Sequence, residues 1–361
     1  MDLRIDSHKL IYHPERVASW RKGEKILPIN MEVCLAGACN HRCIFCCGDY
    51  LDYKPDFLPY DVFMENLREV SLNHGEDGVK SILFAGTGEP LLHPRFIEVI
   101  NGTKECGVDV ALSTNGVLFI PEKADATMAS ISWIRFSVSG GTEETYKKIH
   151  RGRDGDLQRV FDNIRYAAEL KRKNALKTVL NVQIVMIPEN VNEVLLLAKR
   201  VKGLGADNFI VKSYGIQRRL MDSGQPGPNA EIYTDSDALQ AELTALNDEK
   251  FRTIYRTQRI KNEFSKRKYH ECYASPFHAF IAADGGVYPC CEFPGMNAYC
   301  FGNVTEISLK DIFMDRAGRR QSVLGKLKEE NLAHCKTACK LDVMNQYLDE
   351  LVHPREHVNF I

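Results

Sequence analysis

Twelve cysteines are the residues of this 361-residue chain that are best suited to chemistry. Five lie near the N-terminus (Cys34, Cys39, Cys43, Cys46 and Cys47), six lie in the last quarter (Cys272, Cys290, Cys291, Cys300, Cys335 and Cys339), and Cys106 stands alone. Their share of the chain is too small for a disulfide scaffold. In a chain without a secretory signal, clustered cysteines favour metal binding over disulfides. The two groups therefore predict two metal centres.

The first group contains the spacing Cys-x3-Cys-x2-Cys, formed by Cys39, Cys43 and Cys46. Three thiolates at this spacing cannot share one helix face, so they need a loop that curls around an ion or a cluster. Iron–sulfur cubanes are normally held by four cysteines, and three leave one iron open to an outside ligand. A structural zinc site is the alternative, with Cys34, His41 or Cys47 as its fourth ligand.

This spacing, placed directly after a predicted strand, resembles that of the radical S-adenosylmethionine (SAM) superfamily. The resemblance implies a [4Fe–4S] cluster on Cys39, Cys43 and Cys46 whose open iron binds SAM. Reductive cleavage of SAM then gives a 5′-deoxyadenosyl radical that abstracts hydrogen from a substrate. The family also has an aromatic residue just before the third cysteine, near the adenine, which here is Phe45.

Further segments resemble the SAM-contacting motifs of the superfamily. Residues 87–90 read Thr-Gly-Glu-Pro where the family usually has Gly-Gly-Glu-Pro, and Thr87 fits there if its φ is negative. Glu89 is assigned to the SAM ammonium, and Gly88 allows a close approach of the backbone. The segment 185–193 is assigned backbone contacts to adenine. The residues that the resemblance assigns to SAM are Phe45, Gly88, Glu89, Ser113, Asn115, Ser139 and Arg151, of which Arg151 suits a carboxylate.

The second group resembles the twitch domain, a shortened SPASM domain that holds an auxiliary [4Fe–4S] cluster. The resemblance implies four thiolate ligands: Cys272, Cys290, Cys335 and Cys339. The Cys-x2-Cys-x3-Cys run of a full SPASM domain is absent, so we expect one auxiliary cluster, for a total of two clusters. Neighbours on a strand point to opposite faces, so only one of Cys290 and Cys291 can face it. The family pattern favours Cys290, and a four-cysteine zinc site is the alternative.

The five remaining cysteines (Cys34, Cys47, Cys106, Cys291 and Cys300) are predicted to be packed structural residues. If the reaction is an epimerisation, a hydrogen donor is expected among them.

Short apolar runs alternate with amphipathic stretches in the part of the chain that carries the first motifs. The runs predict strands at 28–35, 79–86, 108–114, 132–139, 178–187 and 208–213. Helices are predicted at 60–73, 94–106, 121–129, 143–172 with a break near 152–155, and 190–203. This pattern predicts an α/β fold, a partial (β/α)6 barrel, with its chemistry at the carboxyl ends of the strands. A small α+β twitch-type domain follows.

The domain boundaries predicted from these patterns are an N-terminal extension at 1–30, a radical SAM core at 31–213, a linker and helices at 214–269, an auxiliary-cluster domain at 270–345 and a tail at 346–361. Residues 214–234 read as loop and 235–268 as helical. A hairpin turn is predicted at Asp284-Gly285-Gly286, and helices are predicted from 308 and over 341–352.

Composition narrows the function classes. The chain is 44% hydrophobic with a formal net charge of −1, which fits a globular enzyme and disfavours a nucleic-acid partner. No signal peptide and no apolar stretch of about 18 residues are found, so a cytoplasmic protein with no membrane partner is expected. The resemblance also implies a flavodoxin- or ferredoxin-type electron donor.

These observations predict an oxidoreductase that abstracts hydrogen from a small hydroxylated substrate, such as a sugar, an aminocyclitol or a nucleotide sugar. The auxiliary cluster would accept the resulting electron, because cluster potentials span a wide range. Lys212, Tyr214, Arg218, Arg219 and the basic segment 251–268 are candidates to line the substrate site. The alternatives are an epimerase or decarboxylase, a peptide- or protein-modifying maturase, and a zinc-stabilised binding protein without catalysis. Only 38 residues precede Cys39, which leaves little room for a leader-peptide domain.

Overall fold

The computed structural model describes residues 8–46, 54–215, 236–256, 267–330, 332, 335 and 339–360. Within these residues, ten strands form one sheet. They are β1 (Asn30–Val33), β2 (Ser81–Phe84), β3 (Asp109–Thr114), β4 (Ile131–Ser137), β5 (Val179–Met186), β6 (Asn208–Ser213), β7 (Arg252–Tyr255), β8 (His278–Ile281), β9 (Gly286–Tyr288) and β10 (Gly302–Asn303). The order across the sheet is β10-β9-β8-β1-β2-β3-β4-β5-β6-β7.

Helices connect the parallel strands, as the alternating sequence pattern predicts. Their bounds are α1 (Pro14–Arg21), α2 (Tyr60–Val70), α3 (Phe96–Glu105), α4 (Pro121–Thr127), α5 (Glu143–His150), α6 (Asp156–Lys173), α7 (Val194–Leu204), α8 (Ser236–Thr244), α9 (Leu309–Phe313), α10 (Arg319–Glu329) and α11 (Asp342–Val352). The predicted break between α5 and α6 is confirmed, and so are the helices predicted from 308 and over 341–352. Helices α1 and α10 were not predicted.

The six predicted strands are confirmed as β1 to β6, and the parallel part of the sheet is longer than predicted at both edges. β7 pairs in parallel with β6, so the prediction of helix throughout 235–268 is wrong at Arg252–Tyr255. Its Thr-Ile-Tyr core is β-branched and aromatic, and the exposed edge of β6 supplies the partner groups that a short strand needs. Most of the predicted linker, with Arg218 and Arg219, and residues 257–266 lie outside the described residues.

At the other edge, β8 pairs in parallel with β1, with Asn30 opposite His278 and Val33 opposite Ile281. β9 then returns antiparallel to β8 through the predicted hairpin, where Gly285 has φ +87°. The C-terminal region therefore continues the sheet of the core. This pairing sets the second group of cysteines beside the strand that leads into the first.

The two faces of the sheet differ in polarity. One face packs against the helices through a continuous apolar core that includes Val33, Phe84, Ile134 and Phe136. Side chains alternate along a strand, so Glu32 and Arg135, next to these core residues, lie on the opposite face. That concave face is the one left for polar chemistry.

Within the part of the chain that the structure describes, no helix is both long enough and apolar enough to cross a membrane.

Candidate functional site

The first thiol loop follows β1 and is held against the C-terminal end of α5. The backbone N–H of Arg42 donates to the carbonyl of His150, and that of Ile44 donates to the carbonyl of Ile149, at 3.0 and 2.9 Å. The N–H of Cys46 donates to the Cys43 carbonyl at 2.9 Å, which turns the loop back on itself. Helix α5 thus leaves its last carbonyls to the loop. The curled loop predicted for Cys39, Cys43 and Cys46 is present.

Glu89 lies beside this loop at the carboxyl end of β2 and is 2% exposed. Its carboxylate accepts hydrogen bonds from the Leu91 N–H, the Thr114 hydroxyl and the Asn115 N–H, at 3.1, 2.7 and 2.8 Å. Burial raises the pKa of Glu89 and these donors oppose that shift. A carboxylate has about four acceptor positions, so one is left for an ammonium group. Burial and the charge of Glu89 raise the pKa of Cys39 to about 12, which places Glu89 near the thiol loop.

Asn115 links the end of β3 to the same loop. Its amide Nδ2 donates to Asn40 Oδ1 at 2.7 Å and lies 3.9 Å from Cys39 Sγ. The structure therefore brings the predicted SAM-contacting residues Glu89 and Asn115 together with the first thiols. Their assignment to SAM stays a prediction.

Gly88 is required by the protein backbone. A Cβ on Gly88 would lie 1.9 Å from the Ala36 carbonyl oxygen and 2.5 Å from that of Ala38, so only glycine fits. The φ of Thr87 is not positive, so a threonine fits at this position where the family usually has glycine. The close approach that Gly88 permits is to the thiol loop itself.

The other predicted SAM residues occupy different positions around the loop. The Ser113 hydroxyl accepts two hydrogen bonds from the Arg135 guanidinium, at 3.1 and 3.0 Å, on the concave face. Ser139 is buried, and its hydroxyl accepts from the Val185 N–H at 3.3 Å. Arg151 is exposed directly after α5, in a left-handed conformation with φ 51°. The ring of Phe45 lies 6.4 Å from that of Tyr214.

The segment 185–193 anchors the loop after β4. Asn190 is fully buried and donates to the carbonyls of Ser139 and Val185, at 2.9 Å each. Glu193 accepts from the N–H groups of Gly141 and Thr142 and from the hydroxyls of Thr142 and Thr145. Burial opposes its ionisation, yet these hydrogen bonds lower the pKa of Glu193. These contacts position the backbone that the sequence assigned to adenine.

Two histidines lie beside Cys43: His41, which the sequence offered only as a zinc ligand, and His150, which was not predicted as part of the site. His41 Nε2 lies 3.2 Å from the Asp156 carboxylate, and His150 Nδ1 lies 3.1 Å from Cys43 Sγ. Burial, with a smaller contribution from His41, lowers the pKa of His150 to about 3. Ligand atoms of His41, Cys43 and His150 all lie within 4.8 Å of one another. The sequence signal for His150 was its position next to Arg151, within a segment already assigned to the site.

The histidines bear on the zinc alternative. The Ser139 N–H donates to His150 Nε2 at 2.9 Å, so that nitrogen is the acceptor and Nδ1 carries the hydrogen of the neutral ring. A protonated Nδ1 cannot ligate a metal. His41 is engaged by Asp156, and the buried Cys34 thiol donates to the Ala36 carbonyl at 3.2 Å. Cys47 lies outside the described residues. Among the described candidates, His150 and Cys34 are thus engaged elsewhere, whereas His41 contacts Asp156 only through Nε2 and its buried Nδ1 has no hydrogen-bond partner.

The second group of thiols also comes together. Cys272 and Cys290 both interact electrostatically with Cys339, and so does Cys335. The interaction with Cys335 lowers the pKa of Cys339. The N–H of Leu341 and the hydroxyl of Ser275 donate to the sulfurs of Cys339 and Cys272, both at 3.4 Å. These interactions bring the four thiols together, and their assignment as ligands of one closed cluster stays a prediction.

Two cations lie near this second group. Arg267 interacts with the charges of Cys335 and Cys339. Lys340 forms an ion pair with Glu32 of β1, and burial would lower the pKa of Lys340 but the charges of Glu32 and Cys291 raise it. Cys290 interacts electrostatically with Cys335, and the choice of Cys290 over Cys291 stays a prediction.

The remaining described cysteines are engaged elsewhere. Cys34 is buried against Gly86, where an added Cβ would lie 2.6 Å from the Cys34 Cβ, and Cys106 is buried in the helix-side core. The Cys300 thiol donates to the Gly302 carbonyl at 3.3 Å. These positions agree with packed structural residues.

Comparison with known proteins identifies the two regions. Residues 33–201 match the Radical SAM superfamily, and residues 272–340 match SPASM, an iron–sulfur cluster-binding domain. The chain belongs to the radical SAM superfamily and carries a C-terminal SPASM-type iron–sulfur domain. These domains imply [4Fe–4S] clusters and SAM as cofactors, and the two sets of thiols described above suit such clusters.

Individual relatives cover most of the chain. It is 25% identical over 296 residues to the tungsten-containing aldehyde ferredoxin oxidoreductase cofactor-modifying protein of Pyrococcus furiosus, covering 77% of this chain and 79% of that protein. It is 23% identical over 309 residues to GTP 3′,8-cyclase of Clostridium botulinum, covering 83% and 88%. The structure of Streptococcus suis SuiB bound to precursor peptide SuiA has a TM-score of 0.66 at 16% identity, over 95% of this chain and 77% of that one. This structural likeness concerns the fold.

Proposed function

We propose that this radical SAM enzyme oxidises a small hydroxylated molecule that also carries an anionic group, bound on the concave face of the sheet between the two sets of thiols. A sugar phosphate or a nucleotide sugar has this chemistry. Epimerisation and decarboxylation are the alternative reactions on the same substrate class.

The observation that carries this proposal is the charge on the concave face. Arg135 projects from β4 and is oriented by its two hydrogen bonds to Ser113. Burial lowers the pKa of Arg135, while the charge of Glu32 raises it and that of Arg256 lowers it. Lys212 is on the same face of β6, because its neighbour Val211 belongs to the helix-side core. Among the residues that the structure describes, Arg135, Arg256 and Lys212 thus accompany Glu32 in this region, and a planar guanidinium suits a phosphate or a carboxylate.

The position of this face suits a reaction between two clusters. Glu89 and Asn115, at the ends of β2 and β3, border the first thiol loop. Lys340, paired with Glu32, borders the second group of thiols. When bound, the first cluster with SAM supplies a radical that abstracts hydrogen, and the second supplies an acceptor for the electron that follows. The roles proposed for the chain's own residues are to hold the anion at Arg135 and to keep the reacting carbon between the two sites.

The experiment is a substrate panel in which reduced, reconstituted enzyme cleaves SAM to 5′-deoxyadenosine. Nucleotide sugars and sugar phosphates are compared with neutral sugars, aminocyclitols and peptides. We expect anionic hydroxylated compounds to stimulate cleavage and to give an oxidised product. Stimulation by peptides alone would overturn the proposal in favour of a maturase.

A substitution of Arg135 tests whether this residue binds the anionic group of the substrate. Arg135→Gln should raise the half-saturating concentration of the anionic substrate about tenfold or more, because a hydrogen bond to a charged group contributes about 1.5–3 kcal/mol. The matched control is Arg165→Gln on the outer surface of α6, where Arg165 pairs only with exposed Asp162 among the contacts seen. If Arg135→Gln and Arg165→Gln have the same half-saturating concentration, the anionic group of the substrate does not bind at Arg135.

A further inference from the structure

His150 is the last residue of α5 and is 1% exposed. Both ring nitrogens have partners: Nδ1 lies 3.1 Å from Cys43 Sγ, and Nε2 lies 2.9 Å from the backbone nitrogen of Ser139. The ring therefore joins the loop after β4 to the middle cysteine of the first thiol loop.

The backbone partner determines where the hydrogen of the ring lies. A peptide N–H can only donate, so His150 Nε2 must offer its lone pair to Ser139. A protonated imidazolium would set two hydrogens against each other at that contact, so the ring is neutral. The hydrogen of a neutral ring with a free Nε2 is on Nδ1, and Nδ1 faces the sulfur of Cys43.

The surroundings hold the ring in this orientation. Tyr146, one turn earlier on α5, stacks on it at a centroid distance of 4.2 Å. The His41 ring lies 5.3 Å away and is itself held by Asp156. The backbone on either side of Cys43 is bonded to the carbonyls of His150 and Ile149. Both the sulfur and its backbone are thus positioned by the end of one helix.

We propose that His150 is a positioning residue that donates an Nδ1–H···S hydrogen bond to the Cys43 thiolate and thereby raises the reduction potential of the cluster held there. The inference rests on the proposed role of Cys43 as a cluster ligand. A donor pointing at a ligating sulfur favours the more negative, reduced state, and hydrogen bonds to sulfur are among the factors that set cluster potentials.

The first test needs no cluster. In cluster-free protein labelled with ¹⁵N-histidine, NMR should show His150 as the neutral tautomer with hydrogen on Nδ1. The Nδ1–H resonance should shift in Cys43→Ala and stay in place in Cys106→Ala, whose thiol is buried far along the chain at the end of α3. Hydrogen on Nε2, or a resonance that ignores Cys43→Ala, would overturn the proposal.

The second test measures the reduction potential of the first cluster. In redox titrations followed by electron paramagnetic resonance, His150→Phe keeps a stacking ring but removes the donor, and the midpoint potential of the first cluster should fall. His150→Asn should restore it, because its amide offers a donor near the position of Nδ1. His93→Phe is the control: His93 is also a buried neutral ring, with Nδ1 accepting from the Arg95 N–H and Nε2 donating to the Leu58 carbonyl. An unchanged potential in His150→Phe would refute the role.

The outcomes separate this inference from the assignment of the site. If Cys43→Ala still assembles the first cluster with its normal iron content and spectrum, Cys43 is not a ligand and the site assignment fails. If Cys43→Ala loses the cluster but His150→Phe keeps its potential, only the role of His150 fails. If His150→Phe assembles no first cluster, the tautomer and its response to Cys43→Ala decide the question.

Discussion

The two thiol regions differ in their charged neighbours, although each also has a group of the other sign, Arg42 near Cys39 and Asp342 near Cys339. The first has a buried carboxylate, Glu89, beside Cys39, and its two histidines are neutral. The second has two cations, Arg267 and Lys340, acting on its cysteines. Because adding an electron makes a cluster more negative, the charge of Glu89 disfavours reduction at the first region and opposes the effect proposed for His150, whereas the two cations favour reduction at the second region. The difference teaches that charge distinguishes the two regions: under the proposed function, the second is the one suited to accept the electron left on the substrate after hydrogen abstraction.

The sharpest way to break this comparison is to remove one ligand from each region. Cys39→Ala should reduce 5′-deoxyadenosine formation to the background rate, because the cluster assigned to bind SAM loses one of its three protein ligands. Cys339→Ala should leave SAM cleavage in place and abolish the oxidised product. Both products are measured by chromatography after single and multiple turnovers.

The control for the ligand pair is Cys106→Ala, a buried cysteine of the helix-side core, which should retain both products. Normal SAM cleavage in Cys39→Ala would contradict the first assignment. Loss of SAM cleavage in Cys339→Ala would show that the two regions do not act separately.

The second prediction concerns the backbone of the first region. Gly88→Ala should destabilise the protein by about 3 kcal/mol or more, because its Cβ would overlap the Ala36 and Ala38 carbonyls that shape the thiol loop. Urea unfolding gives the free energy, and iron analysis should show loss at the first region only.

Gly203→Ala is the matched control, because it lies within α7 and an added Cβ meets nothing within 4 Å. It should be neutral or stabilise by about 0.5–1 kcal/mol. Equal destabilisation by both variants would contradict a specific role for the 88 position.

The third prediction sharpens the electrostatic contrast. Lys340→Gln should lower the midpoint potential of the second cluster by on the order of 1 kcal/mol of reduction free energy and leave that of the first unchanged. Lys310→Gln is the control, since Lys310 has a side-chain exposure of 35% against 34% for Lys340 and pairs with Glu69 on α2. An equal shift in the midpoint potentials of both clusters would indicate a general effect of the protein's net charge.

The last prediction concerns how one effect on stability, at the loop after β4, changes with pH. Glu193→Gln should cost about 1–3 kcal/mol at neutral pH, because its carboxylate accepts four hydrogen bonds from the loop after β4. The folded-state pKa of Glu193 is below its ordinary value of 4.5, so this stabilisation is present above that pH and is lost as the pH falls through the folded-state pKa. The cost of the substitution should therefore shrink in acid.

Urea unfolding at several pH values checks this, with Glu189→Gln as the control because Glu189 is exposed on the same turn. A cost for Glu193→Gln that does not change with pH would argue against the charged carboxylate as the acceptor.

Sequence patterns were sufficient for the strands and helices of the core. β3 and β5 are long, apolar runs whose burial pattern is visible locally, and Thr-Gly-Glu-Pro marked the turn that carries Glu89. β7 has only four residues, and it becomes a strand because β6 offers it an edge to pair with. Such a cause lies outside the segment itself.

In the functional site, too, local sequence patterns predict some features, and contacts between distant segments determine others. The spacing of Cys39, Cys43 and Cys46 predicts a loop because it is a local constraint. The contact of His150 with Cys43 joins residues 107 positions apart. It depends on the loop packing against α5, and neither segment alone carries a signal for it. The ligand roles of the individual residues stay predictions that the variants above test.

The pairing of β1 with β8 has a consequence for how the chain folds. Asn30 pairs with His278, which is synthesised much later. One side of β1 therefore keeps its N–H and C=O groups unpaired until more than three quarters of the chain has left the ribosome. Contacts of such high sequence separation form slowly. During synthesis, the edge that will later join the two cofactor regions is open to other chains, and protection by a chaperone at that stage should raise the yield of protein able to receive both clusters.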